Sequence, residues 1–137
     1  MIDQNAAATI GRSAELENDP IRPEDVLSGD PRARARTWAV SADGTTSHWM
    51  WDCSAGSFRW WFGFDETVTI VEGSVRVQVD GEEPVDLAVG DAAYFPAGRW
   101  STWTIDNYVR KQAVLRVPVP RSMSYVARVL GQRKHAR

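Results

Sequence analysis

Short runs of alternating apolar and polar residues, separated by turns that contain glycine or proline, dominate the chain from residue 37 onwards. A period of two places successive side chains on opposite faces of a β-strand, so each run can bury one face and expose the other. Val75, Val77 and Val79 alternate with polar residues in this way and lead into the turn pair Asp80-Gly81. A series of such strands and turns is typical of a barrel or a sandwich. The sequence therefore predicts an all-β fold.

Two stretches, Phe58–Gly73 and Gly90–Trp103, organise the predicted fold, and each is interpreted as a strand that runs into a tight turn. We expect turns to end strands at Ser54–Gly56 and at Glu72-Gly73, because serine and glycine favour a chain reversal there. The remaining predicted strands are Thr37–Val40, Ser47–Cys53, Val75–Val79, Val85–Val89 and Tyr108–Val117.

The 137 residues suffice for one domain, with an N-terminal arm (1–36), a barrel (37–120) and a C-terminal helix with a tail (121–137). Prolines break the arm, and we expect one helical turn near Glu24–Leu27 and an arm that frays or crosses onto a partner subunit. Ser122 is the expected N-cap of the C-terminal helix and Gly131 its expected end. One helical face should pack on the outside of the barrel. Its residues are Met123, Val126, Val129 and Leu130.

The composition of the chain limits the kinds of disulfide and metal site that it can form. One cysteine, Cys53, excludes an intrachain disulfide, and the two histidines, His48 and His135, leave few ligands for zinc. No apolar run approaches the about eighteen residues of a membrane span, and no charged and hydrophobic leader is seen, so we expect a cytoplasmic protein. Residues 108–137 hold eight Lys/Arg and no carboxylate. These charges are spread over a strand and a helix, so we expect a solvated face without nucleic-acid or membrane binding.

The organising stretches resemble the two sequence motifs of the cupin superfamily, the small barrels also called RmlC-like jelly rolls. Glu66 and Gly73 have the spacing of the end of the first motif, and Gly90, Pro96 and Gly98 match the second. The resemblance implies an all-β, RmlC-like cupin β-barrel (jelly roll) with an N-terminal arm and one C-terminal helix.

Within the superfamily, residues 49–111 look most like the branch named for the (S)-ureidoglycine aminohydrolase cupin domain. The shared features are Trp51, Gly56, Phe58, Trp60, Asp65-Glu66, Glu72-Gly73, Asp80-Gly81, Gly90-Asp91, Phe95–Gly98, Trp103 and Arg110-Lys111. Their number and order make the resemblance specific for the fold and much less specific for an activity.

The metal-binding positions of this superfamily are largely replaced. Its first motif carries two histidines, which fall here on Arg59 and Trp61, or on Trp60 and Phe62 if the loop is one residue shorter. The third histidine falls on Ser101, and only the glutamate, Glu66, is retained. A divalent metal needs three or four protein ligands. Although His48 and Asp65 could contribute, we expect no bound metal and no other cofactor.

The resemblance therefore implies a barrel mouth lined with aromatic residues around a buried acid. The predicted ligand-binding residues are Arg59, Trp60, Trp61, Phe62, Glu66, Ser101 and Trp103, and Glu66 is also the candidate catalytic group. Its candidate cationic partners are Arg59, Arg99 and Lys111. Two function classes stay open: a module that binds a small polar metabolite, and an enzyme, either a ureide aminohydrolase or a metal-free isomerase, with Glu66 as acid or base.

A third interpretation stays open beside these two. Glu66 could close its loop through backbone hydrogen bonds, while the tryptophans fill a barrel that holds nothing. In every case we expect a homodimer, because barrels of this type protect their strand edges by pairing about a two-fold axis.

Overall fold

The computed structural model describes residues 2–135, with side chains described for residues 2–131. Its elements are β1 (Glu17–Asn18), a 3-10 turn (Pro23–Asp25), β2 (Val26–Gly29), β3 (Ala33–Val40), β4 (Thr46–Phe62), β5 (Asp65–Val79), β6 (Val85–Ala88), β7 (Ala92–Phe95), β8 (Arg99–Arg116) and α1 (Arg121–His135). The predicted all-β fold with one C-terminal helix is confirmed. Within this range no helix combines the length and the hydrophobicity that a membrane span requires.

All strand pairs are antiparallel, and the curled sheet has the order β1-β3-β4-β8-β5-β6. Two further strands lie off this path, since β2 pairs with β4 and β7 pairs with β5. Strand β8 runs for 18 residues and pairs with β4 along one edge and with β5 along the other. The three long strands β4, β5 and β8 therefore build the walls of the barrel.

The turns expected at Ser54–Gly56 and Glu72-Gly73 are wrong, because β4 and β5 continue through both places. The pairing register with β8 shifts there instead, between Ser54 and Gly56 and on both sides of Glu72-Gly73. Such shifts are β-bulges, which bend a strand without ending it. Gly73 has a φ of 71°, and a Cβ atom there would lie 1.9 Å from the carbonyl oxygen of Tyr108. Only glycine fits this bulge.

The segment before residue 37 contributes strands to the same chain's sheet. β1 pairs with β3 and β2 pairs with β4. The helical turn expected near Glu24–Leu27 is a 3-10 turn at Pro23–Asp25 that runs directly into β2. Further upstream, the arm crosses the outer face of the barrel, where Arg110 Nη2 donates to the carbonyl oxygen of Ala14 at 2.5 Å.

Asp52 anchors this outer face with a buried carboxylate. It accepts hydrogen bonds from Arg34 on β3 and, at 2.7 Å, from the hydroxyl of Tyr108 on β8, and Arg110 lies 3.6 Å away. The Asp52 hydrogen bond raises the pKa of Arg34, whereas burial and the same carboxylate raise the pKa of Tyr108. The Asp52 carboxylate on β4 thus links β4 to β3 and β8 where the arm crosses these strands.

Helix α1 does not pack on the barrel as expected. Met123, Val126 and Leu130 are exposed and Val129 is partly buried, and Pro118–Pro120, which belongs to no strand or helix, separates α1 from β8. The helix also continues through Gly131, since one interior glycine costs a helix only about 1 kcal/mol. The frayed tail expected from Gln132 onwards is therefore helical as far as His135, and its residues 136–137 lie outside the described part of the chain.

Candidate functional site

A cavity of about 160 Å³ opens on the inner side of the barrel between β4, β5 and β8. Its walls are mainly aromatic and aliphatic. The lining residues are Asp19, Ala35, Trp49, Trp51, Phe58, Trp60, Glu66, Trp103, Lys111, Ala113 and Leu115. Concave, mostly apolar spaces with a few polar groups are typical of small-molecule sites.

The buried polar part of the cavity is an ion pair between Glu66 and Lys111, whereas Asp19 is exposed. Lys111 Nζ lies 2.8 Å from Glu66 Oε2, and each residue is only 5% exposed. Glu66 is on β5 opposite Leu115, and Lys111 is four positions before Leu115 on β8. The alternation of β8 therefore points Lys111, Ala113 and Leu115 into the same space. The pairing across β5 and β8 brings the carboxylate to the ammonium.

Two tryptophans flank the ammonium group of Lys111. Its Nζ lies 4.2 Å from the ring centroid of Trp103 and 4.6 Å from that of Trp51. A cation over an aromatic face is stabilised by about 0.5–2 kcal/mol, and more strongly where water is excluded. Carboxylate and tryptophan faces together fix a positive charge at Nζ inside the barrel.

The alternation of β4 decides which of the two sequence registers faces inward. Phe58 and Phe62 are buried and Trp60 lines the cavity, whereas Arg59 and Trp61 point outward. Arg59 binds Asp80 and Thr102, and its guanidinium holds the pKa of the Asp80 carboxyl below its usual value.

Trp61 is 47% exposed, and its ring centroid lies 5.5 Å from that of Trp100. Neither Arg59 nor Trp61 is among the residues that line the cavity.

Phe62 and Ser101 lie behind the cavity wall. Phe62 stacks on Phe95 with a centroid distance of 4.7 Å. Ser101 Oγ donates to the carbonyl oxygen of Trp60 at 3.0 Å and accepts a hydrogen bond from Trp103 Nε1 at 3.1 Å. Ser101 thus positions two tryptophans and does not itself reach the space.

Of the seven residues proposed from the sequence, the structure brings three together at the cavity: Trp60, Glu66 and Trp103. It adds Phe58, which shares the even, inward parity of Trp60. It also adds Trp49 and Trp51, whose odd positions face inward because the bulge between Ser54 and Gly56 reverses the alternation of β4. Among the three candidate cationic partners of Glu66, only Lys111 contacts it, because Arg59 pairs with Asp80 and Arg99 with Glu82. The alternation of Trp49, Trp51 and Cys53 was a local signal for the two additional tryptophans, but only the bulge between Ser54 and Gly56 shows that they share a face with Trp60.

The residues around Glu66 do not fit the divalent metal that the superfamily implies. Among the residues that the structure describes, no group of three or more His, Cys, Asp or Glu side chains is placed to hold an ion. His48 packs against Trp38, and Asp65 binds Ala97 and Arg116. The Lys111 ammonium already neutralises Glu66 at hydrogen-bond distance. The positive charge beside Glu66 is therefore the ammonium group of Lys111, at the place where a metal ion would otherwise bind.

Comparison with known families and structures places this geometry in context. Residues 40–113, more than half of the chain, match the sequence model of the EutQ-like cupin domain. No curated protein shows significant similarity to the chain.

Several solved structures share the fold. A DUF861-family protein of unknown function from Pseudomonas syringae has a TM-score of 0.70 at 22% identity, over 77% of this chain and 46% of that one. The Clostridium difficile EutQ protein has a TM-score of 0.57 at 16% identity, over 72% and 81%. A cupin-like protein from Thermotoga maritima has a TM-score of 0.61 at 12% identity, over 76% and 80%. This chain thus spans about half the length of the Pseudomonas protein.

Proposed function

This chain belongs to the EutQ-like cupin domain family, and we propose that its barrel binds a small, planar, polar metabolite in the tryptophan-lined cavity. The observation that carries this proposal is the buried Glu66–Lys111 pair on the wall of an otherwise apolar space. Burying two charges costs several kcal/mol each, which the pair only partly returns. Because the Glu66–Lys111 pair has this cost and lies on the wall of the cavity, it supports a role for these two side chains in contacting a ligand.

The size and shape of the cavity define the ligand class. An apolar cavity of about 150 Å³ accommodates one benzene molecule, so the about 160 Å³ here suits one ring or an acyclic molecule of similar size. Trp49 and Trp60, which are only partly buried, offer flat surfaces for stacking.

The charges define its polarity. Glu66 can only accept hydrogen bonds when ionised, whereas the Lys111 ammonium has three donors, of which Glu66 takes one. Because the pair is neutral overall and Asp19 adds a carboxylate to the lining, the cavity favours an uncharged ligand that carries a donor beside an acceptor over a carboxylate.

Adjacent tryptophans of β4 provide a matched test with benzamide as the probe and toluene as the apolar control. Trp60 lines the cavity and Trp61 points away from it, so Trp60→Leu should weaken benzamide binding about fivefold, the loss expected for one aromatic contact. Trp61→Leu should leave the affinity unchanged. Isothermal titration calorimetry measures both, and circular dichroism checks folding. Equal effects of the two substitutions, or no binding of benzamide by the unsubstituted protein, would contradict the proposal.

Lys111 also favours a second candidate function, proton transfer. An acid–base enzyme needs a second titratable group beside Glu66, and Lys111 Nζ lies 2.8 Å from it. Cyclohexanone in D₂O provides the test, since a base in the cavity would exchange the protons next to its carbonyl group. Glu66→Gln should lower that exchange rate, followed by NMR, by about a hundredfold if Glu66 is the base. Equal exchange with and without the protein would remove this candidate.

We also propose a homodimer that covers the exposed apolar face of α1. Residues 108–137 carry eight Lys/Arg and no carboxylate, whereas residues 37–107 carry eleven Asp/Glu and three Lys/Arg. A basic helix that exposes Met123, Val126 and Leu130 is thus complementary to the acidic barrel of a second copy. Val126→Glu should shift the mass measured by light scattering towards the monomer. A monomeric unsubstituted protein would contradict this proposal.

A further inference from the structure

We propose that Lys111 forms a covalent imine with an aldehyde or a ketone that enters the same cavity. This inference rests on the proposed binding of small molecules there and adds a substrate class, carbonyl compounds, together with a covalent step. Of the residues that line the cavity, Lys111 alone carries an amine. Buried lysines are the usual side chains for this reaction.

The proton acceptor is Glu66. An ammonium group has no free electron pair, so Lys111 must first lose a proton before it attacks a carbonyl carbon. Glu66 Oε2 already accepts the hydrogen bond from Nζ at 2.8 Å, and the proton can pass along that bond without a rearrangement. The carboxylate is thus placed to accept the proton and to return it later.

The step balances with the groups present. The neutral amine adds to the carbonyl carbon, the new C–N bond forms as the C=O π bond breaks, and the proton that the nitrogen then loses passes to the oxygen to give a neutral carbinolamine. Protonated Glu66 then donates to the hydroxyl group, which leaves as water, and the nitrogen electron pair forms the C=N bond. The net change converts an ammonium and a carbonyl group into an iminium and one water molecule. No oxidant or reductant takes part.

The surroundings of Nζ stabilise the product as well as the starting state. An iminium keeps one positive charge at the same nitrogen, so the faces of Trp51 and Trp103, at 4.6 and 4.2 Å, still contact a cation. Glu66 remains its counter-ion. The aromatic walls also limit the water that would hydrolyse the adduct. The site therefore stabilises the iminium product by the same contacts that stabilise the ammonium group.

Reductive trapping tests the proposal directly. Benzaldehyde, one ring with an aldehyde group, is incubated with the protein and sodium cyanoborohydride, which reduces an iminium to a stable secondary amine. The chain has only two lysines, Lys111 and Lys134, so peptide mass mapping separates the site from Lys134 and the terminal amine. We expect a single benzyl group on Lys111, and Glu66→Gln should slow its formation by about a hundredfold, the usual contribution of a positioned base.

Two variants keep the result interpretable. Lys111→Arg keeps the cation and abolishes the adduct, whereas Trp61→Leu, on the outer face, leaves it unchanged. Benzamide binding is measured on the same samples. If benzamide binds but labelling of Lys111 is no faster than that of Lys134, the imine is wrong and the binding function stands. If neither benzamide binding nor labelling occurs, both proposals fail.

Discussion

Removing one charge from the Glu66–Lys111 pair should destabilise the protein more than removing both. Lys111→Met leaves the Glu66 carboxylate, which is 5% exposed, without the ammonium group that lies 2.8 Å from it. Breaking a buried pair from one side costs about 3–5 kcal/mol. Since the cavity gives some access to water, we expect about 3 kcal/mol, the lower end of that range.

Glu66→Leu should cost less, about 2 kcal/mol, because Trp51 and Trp103 still stabilise the ammonium group. The double variant Glu66→Leu/Lys111→Met leaves no charge to solvate and should lie within about 1 kcal/mol of the unsubstituted protein. Additive effects would instead give about 5 kcal/mol, so the interaction energy is large compared with the error of the measurement.

Urea unfolding followed by tryptophan fluorescence measures all three variants. Arg59→Met is the matched control, because Arg59 lies on the outer face of β4 and pairs with the exposed Asp80. That substitution should leave the unfolding midpoint nearly unchanged, since exposed ion pairs contribute little. If the loss of unfolding free energy in the double variant equals the sum of the losses in the two single variants, the two charges do not compensate each other and the reasoning is wrong.

Three further predictions follow from the geometry of the chain. Gly73→Ala should cost about 3 kcal/mol or more in urea unfolding, since its Cβ would clash with the Tyr108 carbonyl, whereas Gly90→Ala, with open space around it, should cost only the about 1 kcal/mol of its positive φ. Burial raises the pKa of the Cys53 thiol to about 12, so at pH 8 a disulfide reagent should react with it only as fast as the protein unfolds; rapid native-state labelling would contradict this. Hydrogen bonds from Ser41 and Thr45 lower the pKa of Asp43 from 3.8 to about 2. The ionised carboxylate therefore stabilises the folded protein fully above the pKa of the unfolded state, and this contribution is lost as the pH falls from 4 towards 2. Asp43→Asn should flatten the dependence of the free energy of unfolding on pH in that range, and an unchanged slope would contradict this prediction.

The strands were predictable from alternation, but their continuity was not. The turns at Ala42–Gly44, Asp80-Gly81 and Pro96–Gly98 join separate strands, as their residue types indicate. Gly56 and Gly73 have the same local signature and lie inside β4 and β5. Whether a glycine reverses a chain or bends it depends on the neighbouring strand, here β8, and that strand is distant in sequence. Local sequence therefore defines the positive-φ positions without defining their consequence.

The candidate site shows the same limit. Glu66 could be found because its spacing from Gly73 is local. The choice between Trp60 and Trp61 depended on a one-residue shift, which reverses every side chain of a strand. Lys111 lies 45 positions from Glu66, and only the pairing of β5 with β8 brings them together. The sequence offered Arg59 and Arg99 as equally good cationic partners of Glu66, but in the structure they pair with the surface carboxylates of Asp80 and Glu82.

The position of β8 between two strand groups sets an order for folding during synthesis. Within residues 2–135, β1 to β4 pair only among themselves and with β8, and β5 to β7 do likewise. Partners of β8 are separated by as many as 70 positions, as in Thr46↔Arg116. Such distant pairings form late, because a long loop must close first. Each strand group has pairings that need no part of β8, but the wall that carries Trp103 and Lys111 is synthesised after both groups, and the cavity is complete only when β8 has paired with them.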